Sequence, residues 1–161
     1  MATTHSRSIA GIETDTIVTG VLAALLAGVV FGGLMHATGQ IETVARLYGL
    51  EGLALGWLVH LVHSALAGVV FTALVAFVAP LRAYAAKPLT AAGLGVAFGV
   101  ACWIVLVAIA VPLWLGIVHG STVALPLLHW PSLGGLVVFG AILGASCPLL
   151  HEWRSAGWSP L

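Results

Sequence analysis

Long runs of apolar residues without any charged side chain are the feature that most constrains this chain. Residues 17–40 and 52–80 contain no Asp, Glu, Lys or Arg, and neither do the stretches 89–117 and 132–150. About 20 apolar residues in an α-helix cross the hydrocarbon core of a bilayer. A helix also satisfies its backbone hydrogen bonds within one segment, which lipid demands. The sequence therefore predicts an all-α polytopic membrane protein with a bundle of four transmembrane helices.

The composition supports lipid as the surrounding medium. Apolar residues make up 61% of the 161 residues, charged residues only 6%, and the mean hydropathy is +1.16. Soluble proteins carry about a quarter charged residues, so the outer surface of this chain must face a lipid bilayer. The formal net charge is zero, which argues against a nucleic-acid partner bound through phosphate contacts.

The charged residues mark the limits of the domain. We predict a polar N-terminal tail over 1–16, a four-helix transmembrane domain over 17–150 and a C-terminal tail over 151–161. Within the domain, the spans are expected at about 17–38, 52–80, 89–117 and 132–150. Residues 40–51 hold three charges, and either a short interfacial helix or a polar loop fits them.

The basic residues predict the orientation in the membrane. Four spans bring both termini and the 81–88 loop to one side, together with Arg7, Arg82, Lys87 and Arg154, while Arg46 lies on the other. Lys and Arg are enriched in cytoplasmic loops. We therefore predict a multi-pass protein of the cell membrane with cytoplasmic N- and C-termini.

Small residues four apart occur in every span. In lipid, burial of Leu against Leu gains little, so helices associate where small residues allow close backbone approach. The predicted packing residues are Gly28, Gly32, Ser64, Gly68, Gly95, Gly99, Gly140 and Gly144.

The chain also matches itself weakly. A shift of 67 residues aligns Leu22, Ala24, Gly28, Val29, Phe31 and Gly32 with the start of the third span. A duplication of a two-helix unit is one interpretation, and chance matching in a biased composition is the other.

Motifs of soluble enzymes do not occur. The sequence has no Walker loop, no HExxH and no GxSxG, and no carboxylate lies within a span. We therefore predict that the protein is not an enzyme. Cys102 and Cys147 lie in apolar runs and are interpreted as packing residues.

Histidines are the residues that could carry chemistry. There are seven in the chain, and five fall in or beside the spans: His36, His60, His63, His119 and His129. Ionisable groups at membrane depth indicate function by default. Because His60 and His63 are three residues apart, we expect them to share a face that continues into Ser64 and points into the bundle. We expect both imidazoles to be neutral.

Three interpretations of these histidines remain open. In the first they are structural, hydrogen-bonded to backbone carbonyls or hydroxyls, and no cofactor is bound. In the second, His60 or His63 holds haem b or a transition metal with another His, and the protein is an electron-transfer subunit. In the third they relay protons in a small transporter or channel-like protein.

The stretch GWLVHLVHSALAGVVF in span two, GxxFGxxxW from Gly95 to Trp103, Pro112, and FGAILGA from Phe139 to Ala145 resemble a family of small four-helix prokaryotic membrane proteins. That resemblance covers about residues 17–150 and implies a membrane fold but no activity. Relatives in the family often carry a His where this chain has Leu136, a departure that weakens a metal site formed across four helices.

The function predicted from the sequence is that of a membrane component without enzymatic activity, structural or accessory. Association into a homo-oligomer or a larger membrane complex is an expectation that goes with an accessory role. The substrate or partner, the oligomeric state and the occupancy of the histidines are not fixed by the sequence.

Overall fold

Four apolar helices dominate the chain. The computed structural model describes residues 8–9 and 12–156. In chain order, its elements are β1 (Ser8–Ile9), β2 (Ile12–Glu13), α1 (Thr14–Ala37), α2 (Ile41–Arg46), α3 (Leu53–Phe77), α4 (Ala79–Ala85), α5 (Pro88–Cys102), a π-helical segment (Trp103–Ala110), α6 (Val111–His119) and α7 (Trp130–Ala156). The strands form one short antiparallel pair.

Four of the described helices are long and apolar enough to cross a membrane. They are α1, α3, the continuous third span 88–119 and α7, with 24, 25, 32 and 27 residues. Each exceeds the length of about 20 residues that a bilayer core requires. The protein is therefore an all-α, four-helix multi-pass membrane protein, and the predicted fold class is confirmed.

The ends of the spans differ from the predicted ones. Helix α1 begins at Thr14, inside the predicted tail 1–16, and α7 continues to Ala156, into the predicted tail 151–161. An ion pair between Asp15 and Arg154 joins these two helix ends. Asp15 in the first turn of α1 and Arg154 in the last turn of α7 each interact favourably with the dipole of their helix, which supports both extensions. The other residues of the two tails lie outside the described part of the chain, Arg7 among them, except for the strand pair formed by 8–9 and 12–13.

Helix α3 ends earlier than predicted. It stops at Phe77 rather than continuing to Pro80, because a proline has no N–H to donate to the carbonyl four residues before it. That carbonyl belongs to Ala76, and the guanidinium of Arg82 on α4 donates to it instead. The chain then turns sharply through α4 into α5.

The helices pack as two pairs. Helix α1 lies against α3, and α5 lies against α7. In the first pair, a Cβ on Gly68 would come 2.7 Å from the Cβ of Ala24 and 2.6 Å from the carbonyl oxygen of Gly20. In the second pair, a Cβ on Gly95 would overlap the carbonyl oxygen of Gly140. Backbones approach this closely only where no side chain intervenes.

The structure places all eight predicted packing residues at these contacts. Gly28 and Gly32 on α1 face Ser64 and the ring of Trp57 on α3, and Gly68 faces Ala24. The second pair joins Gly95 to Gly140, Gly99 to Leu136, and Gly144 to Ala91.

Both pairs use the same contact register. The contacts Ala24–Gly68, Gly28–Ser64 and Gly32–His60 correspond to Ala91–Gly144, Gly95–Gly140 and Gly99–Leu136. Corresponding residue numbers on α1 and α5 differ by 67, and corresponding residue numbers on α3 and α7 differ by 76. The shift of 67 therefore coincides with a repeat of contact geometry in the two helix pairs.

The two pairs pack closely on one side only. Helix α1 packs on α7, where the ring of Phe31 lies over Gly135 and a Cβ on that glycine would overlap it. Buried residues between the pairs form the core, comprising Ala23, Ala24, Ala27, Phe71, Phe139 and Leu143. The backbones of α3 and α5 lie farther apart, and these helices meet through an edge-to-face contact of the Phe71 and Phe98 rings, whose centroids are 5.3 Å apart. The bundle is therefore open along α3 and α5.

The third span is irregular in its middle. The π-helical segment precedes Pro112, which cannot donate to the Ala108 carbonyl in an α-helical pattern. The N–H of Leu127, in the connection to α7, donates to that carbonyl at 2.9 Å. The connection 120–129 therefore runs back beside the third span instead of extending away from it.

The segment 40–51 contains the short helix α2, as one of the two predicted alternatives has it. Ile41 at its start is 1% exposed, and its carbonyl would be 2.5 Å from a Cβ on Gly56 of α3. Helix α2 therefore packs on the beginning of α3 rather than forming a solvated loop.

Alanine substitutions at two neighbouring glycines test the close packing. Gly95→Ala should lower the stability of the α5–α7 pair by about 1–3 kcal/mol, because its Cβ meets backbone that cannot move aside. Gly93→Ala has open space around its Cβ and should be neutral or slightly stabilising. Thermal unfolding in detergent measures both. Equal melting temperatures for the two variants would contradict the packing described here.

Candidate functional site

The buried imidazole of His60 is the centre of the candidate site. Helix α3 turns one stripe of residues towards α1 and α2, and this stripe contains Gly56, His60, Ser64 and Gly68 at intervals of four. His60 is only 7% exposed. The spacing of four keeps the stripe on one side of the helix, since an α-helix has about 3.6 residues per turn.

His60 forms a hydrogen bond between two helices. Its Nε2 lies 2.9 Å from the carbonyl oxygen of Gly28 on α1. Because a carbonyl oxygen only accepts, Nε2 carries the proton and donates it. The Ser64 hydroxyl, one turn further along α3, donates to the His60 carbonyl at 2.9 Å. The bond from His60 to Gly28 links α3 to α1 at the same level as the glycine contacts of these two helices.

Aromatic side chains enclose the imidazole. The Phe31 ring meets it edge-on at 5.4 Å between centroids, and the Trp57 ring does so at 6.3 Å. Gly32 provides the room, because a Cβ there would come 3.0 Å from Cδ2 of His60 and 2.5 Å from Cζ3 of Trp57. His36 also lies near Trp57, with 6.3 Å between the ring centroids.

His63 does not share this buried face, and the predicted inward orientation is wrong for it. Its side chain is exposed in the bundle. A separation of three residues leaves two side chains about 60° apart around the helix axis. The buried stripe advances by four, so it includes Ser64 and leaves His63 on the neighbouring side.

A second set of contacts, which we call the Tyr48 bridge, consists of Leu47, Tyr48, His63, Trp114 and His119. The Tyr48 hydroxyl lies 2.7 Å from Nε2 of His63. The Leu47 carbonyl accepts from Nε1 of Trp114 at 2.6 Å and from Nε2 of His119 at 3.1 Å. The Tyr48 ring also packs near Trp114, at 5.8 Å. The chain after α2 thereby connects α3 to α6.

His129 stabilises the start of α7. Its Nδ1 accepts the backbone N–H of Ser132 at 3.3 Å. Its carbonyl accepts from the Ser132 hydroxyl at 2.7 Å and from Nε1 of Trp103 at 3.2 Å. The rings of Trp103 and Trp130 stack at 5.8 Å. His129 therefore helps hold the start of α7 on the middle of the third span.

The five candidate histidines are thus distributed over three separate places. His36 and His60 both lie near Trp57, His63 and His119 belong to the Tyr48 bridge, and His129 lies at the start of α7. Among residues 8–9 and 12–156, no three His, Cys, Asp or Glu side chains are grouped so that they could hold a metal ion. Cys102 and Cys147 are free thiols, each partly buried.

Some contributors could not be found from sequence. Phe31 and Tyr48 contact histidines 29 and 15 residues away in the chain, and only the helix register brings them together. The one available signal was the self-match at a shift of 67 residues, which includes Phe31.

Comparisons of the chain with protein-family models, with curated proteins and with solved structures found no match. The resemblance to small four-helix prokaryotic membrane proteins therefore stays a prediction.

A double-mutant cycle measures the Tyr48 bridge. Tyr48→Phe removes the hydroxyl that meets His63, and we expect it to lower stability by about 0.5–1.5 kcal/mol. His63→Leu should add little once that hydroxyl is gone. Tyr84→Phe, on an exposed residue of α4, is the control. Strictly additive losses from Tyr48→Phe and His63→Leu in detergent unfolding would mean that the two side chains are not coupled.

Proposed function

We propose that this protein is a structural or accessory component of the cell membrane without enzymatic activity, whose membrane histidines fasten one element to another. One observation carries the proposal. A ring nitrogen of each of three histidines faces a polar group outside the helix of that histidine. His60 faces the Gly28 carbonyl, His63 the Tyr48 hydroxyl and His119 the Leu47 carbonyl.

The chemistry of these bonds supports a structural role. A neutral imidazole in an apolar bundle needs a polar partner, because burial of an unpaired polar group is unfavourable. The Gly28 carbonyl supplies that partner to His60. Nε2 is also the nitrogen through which His commonly binds a metal or haem. Ligation through Nε2 would therefore break the bond to α1.

The charge distribution supports an orientation. One end of the bundle holds the start of α1 and the end of α7, together with Arg82, Lys87 and Arg154. Arg46 lies near the other end. Since basic residues favour the cytoplasmic side, both termini are cytoplasmic in this proposal. An accessory role implies association with further copies or other membrane subunits.

Spectroscopy and metal analysis test the structural role. Detergent-purified protein should show no haem absorption and far less than one equivalent of iron, copper or zinc. His60→Ala should lower thermal stability through loss of its bond to Gly28 and leave the spectrum unchanged. His151→Ala, at an exposed position of α7, is the control. A haem band or a bound metal that disappears in His60→Ala would overturn the proposal.

Cysteine labelling tests the orientation. In a background of Cys102→Ala and Cys147→Ala, Gly39→Cys should react with an impermeant maleimide from outside the cell. Ala85→Cys should react only after the membrane is opened, because α4 lies at the same end of the bundle as the start of α1 and the end of α7. The reverse pattern would show that the termini are external.

A further inference from the structure

A cleft runs along the open side of the bundle, between α3 and α5. Its walls are Phe71 and Leu74 on α3 and Leu94 and Phe98 on α5, and Leu81 of α4 closes one end. The cavity measures about 200 Å³, and every residue that lines it is apolar. Such a space suits a stretch of hydrocarbon chain.

Two basic residues lie in the segment that closes the cleft. Arg82 directly follows Leu81, and Lys87 immediately precedes α5. Residues 78–87, which connect the two walls, include no Asp or Glu. The end of the cleft therefore carries positive charge without a neutralising partner in its own segment.

The Arg82 guanidinium is held in place by only some of its N–H donors. Its Nε donates to the Ala76 carbonyl at 3.2 Å, and Nη2 donates to the same oxygen. A guanidinium has five N–H donors, so most of them remain for a ligand. Its planar fork matches the oxygens of a phosphate.

We propose that this cleft binds an anionic phospholipid, with part of one acyl chain lying between α3 and α5 against Leu74 and Leu94 and the headgroup phosphate at Arg82 and Lys87. Basic pockets between transmembrane helices are known to suit anionic headgroups. The inference does not depend on the role of the histidines.

A second copy of the chain fits the cleft less well. An isologous contact about a two-fold axis would place Arg82 and Lys87 of one copy near the same residues of the other. Like charges opposed in this way disfavour association. An anionic lipid neutralises the same residues, so charge complementarity selects the lipid.

Native mass spectrometry of the full chain tests the proposal. The delipidated protein in detergent is titrated with phosphatidylglycerol or with phosphatidylcholine of the same acyl chains. We expect one phosphatidylglycerol to bind at least about tenfold more tightly than phosphatidylcholine, since each basic residue near the headgroup adds to the affinity. The double variant Arg82→Gln, Lys87→Gln should lose that preference.

Matched variants separate the cleft from general lipid contact. Leu74→Trp fills the cleft and should abolish retention of the lipid, whereas Leu66→Trp, on an exposed part of the same helix, should retain it. Arg46→Gln, beside Glu42 near the other end, should keep the preference for phosphatidylglycerol. Circular dichroism confirms that each variant is folded.

Three results would overturn the inference. They are equal binding of the two lipids, equal loss of the lipid in Leu74→Trp and Leu66→Trp, and a dimer of the chain whose formation Leu74→Trp prevents while no lipid is retained.

Discussion

The close approach of helix backbones at glycine holds this protein together. In lipid, apolar side chains gain little by leaving their surroundings, so shape and van der Waals contact must hold the helices. The overlap that a Cβ on Gly95 would make with Gly140 shows how little space separates α5 from α7. The bond from His60 to Gly28 depends on the same closeness, because it forms only where α1 and α3 approach at Gly28 and Gly32. The polar features are therefore secondary to the packing of the backbones.

Prolines shape the rest of the fold through the hydrogen bonds that they cannot make. Pro80 follows Ala76 by four residues, and Pro112 follows Ala108 by the same interval. In each case the carbonyl receives a donor from elsewhere, the Arg82 guanidinium in one and the Leu127 N–H in the other. These replacements set the turn into α4 and the course of the connection to α7, in accordance with the requirement that backbone groups in lipid find partners.

Much of this architecture could be predicted from sequence, for a simple physical reason. Uncharged runs of sufficient length predict spans directly, and small residues at intervals of four predict helix contacts. The ends of the spans were less predictable, because Asp15 and Arg154 pair across the whole length of the chain. The partner of each histidine was also beyond the sequence. The sequence places His60 and His63 on nearly the same side of α3. In the structure His60 faces Gly28 and His63 faces Tyr48, because only the side with His60 meets α1.

The connection 120–129 has a consequence for how the chain is made. The N–H of Leu127 donates to the Ala108 carbonyl, and the indole of Trp103 donates to the His129 carbonyl. Both partners lie in the third span, which leaves the ribosome first. The connection can lie beside lipid only when the third span is already in place, because a non-helical backbone there needs hydrogen-bond partners close by. The order of synthesis thus matches the order of dependence, because the span that supplies these hydrogen-bond partners is made before the connection that needs them.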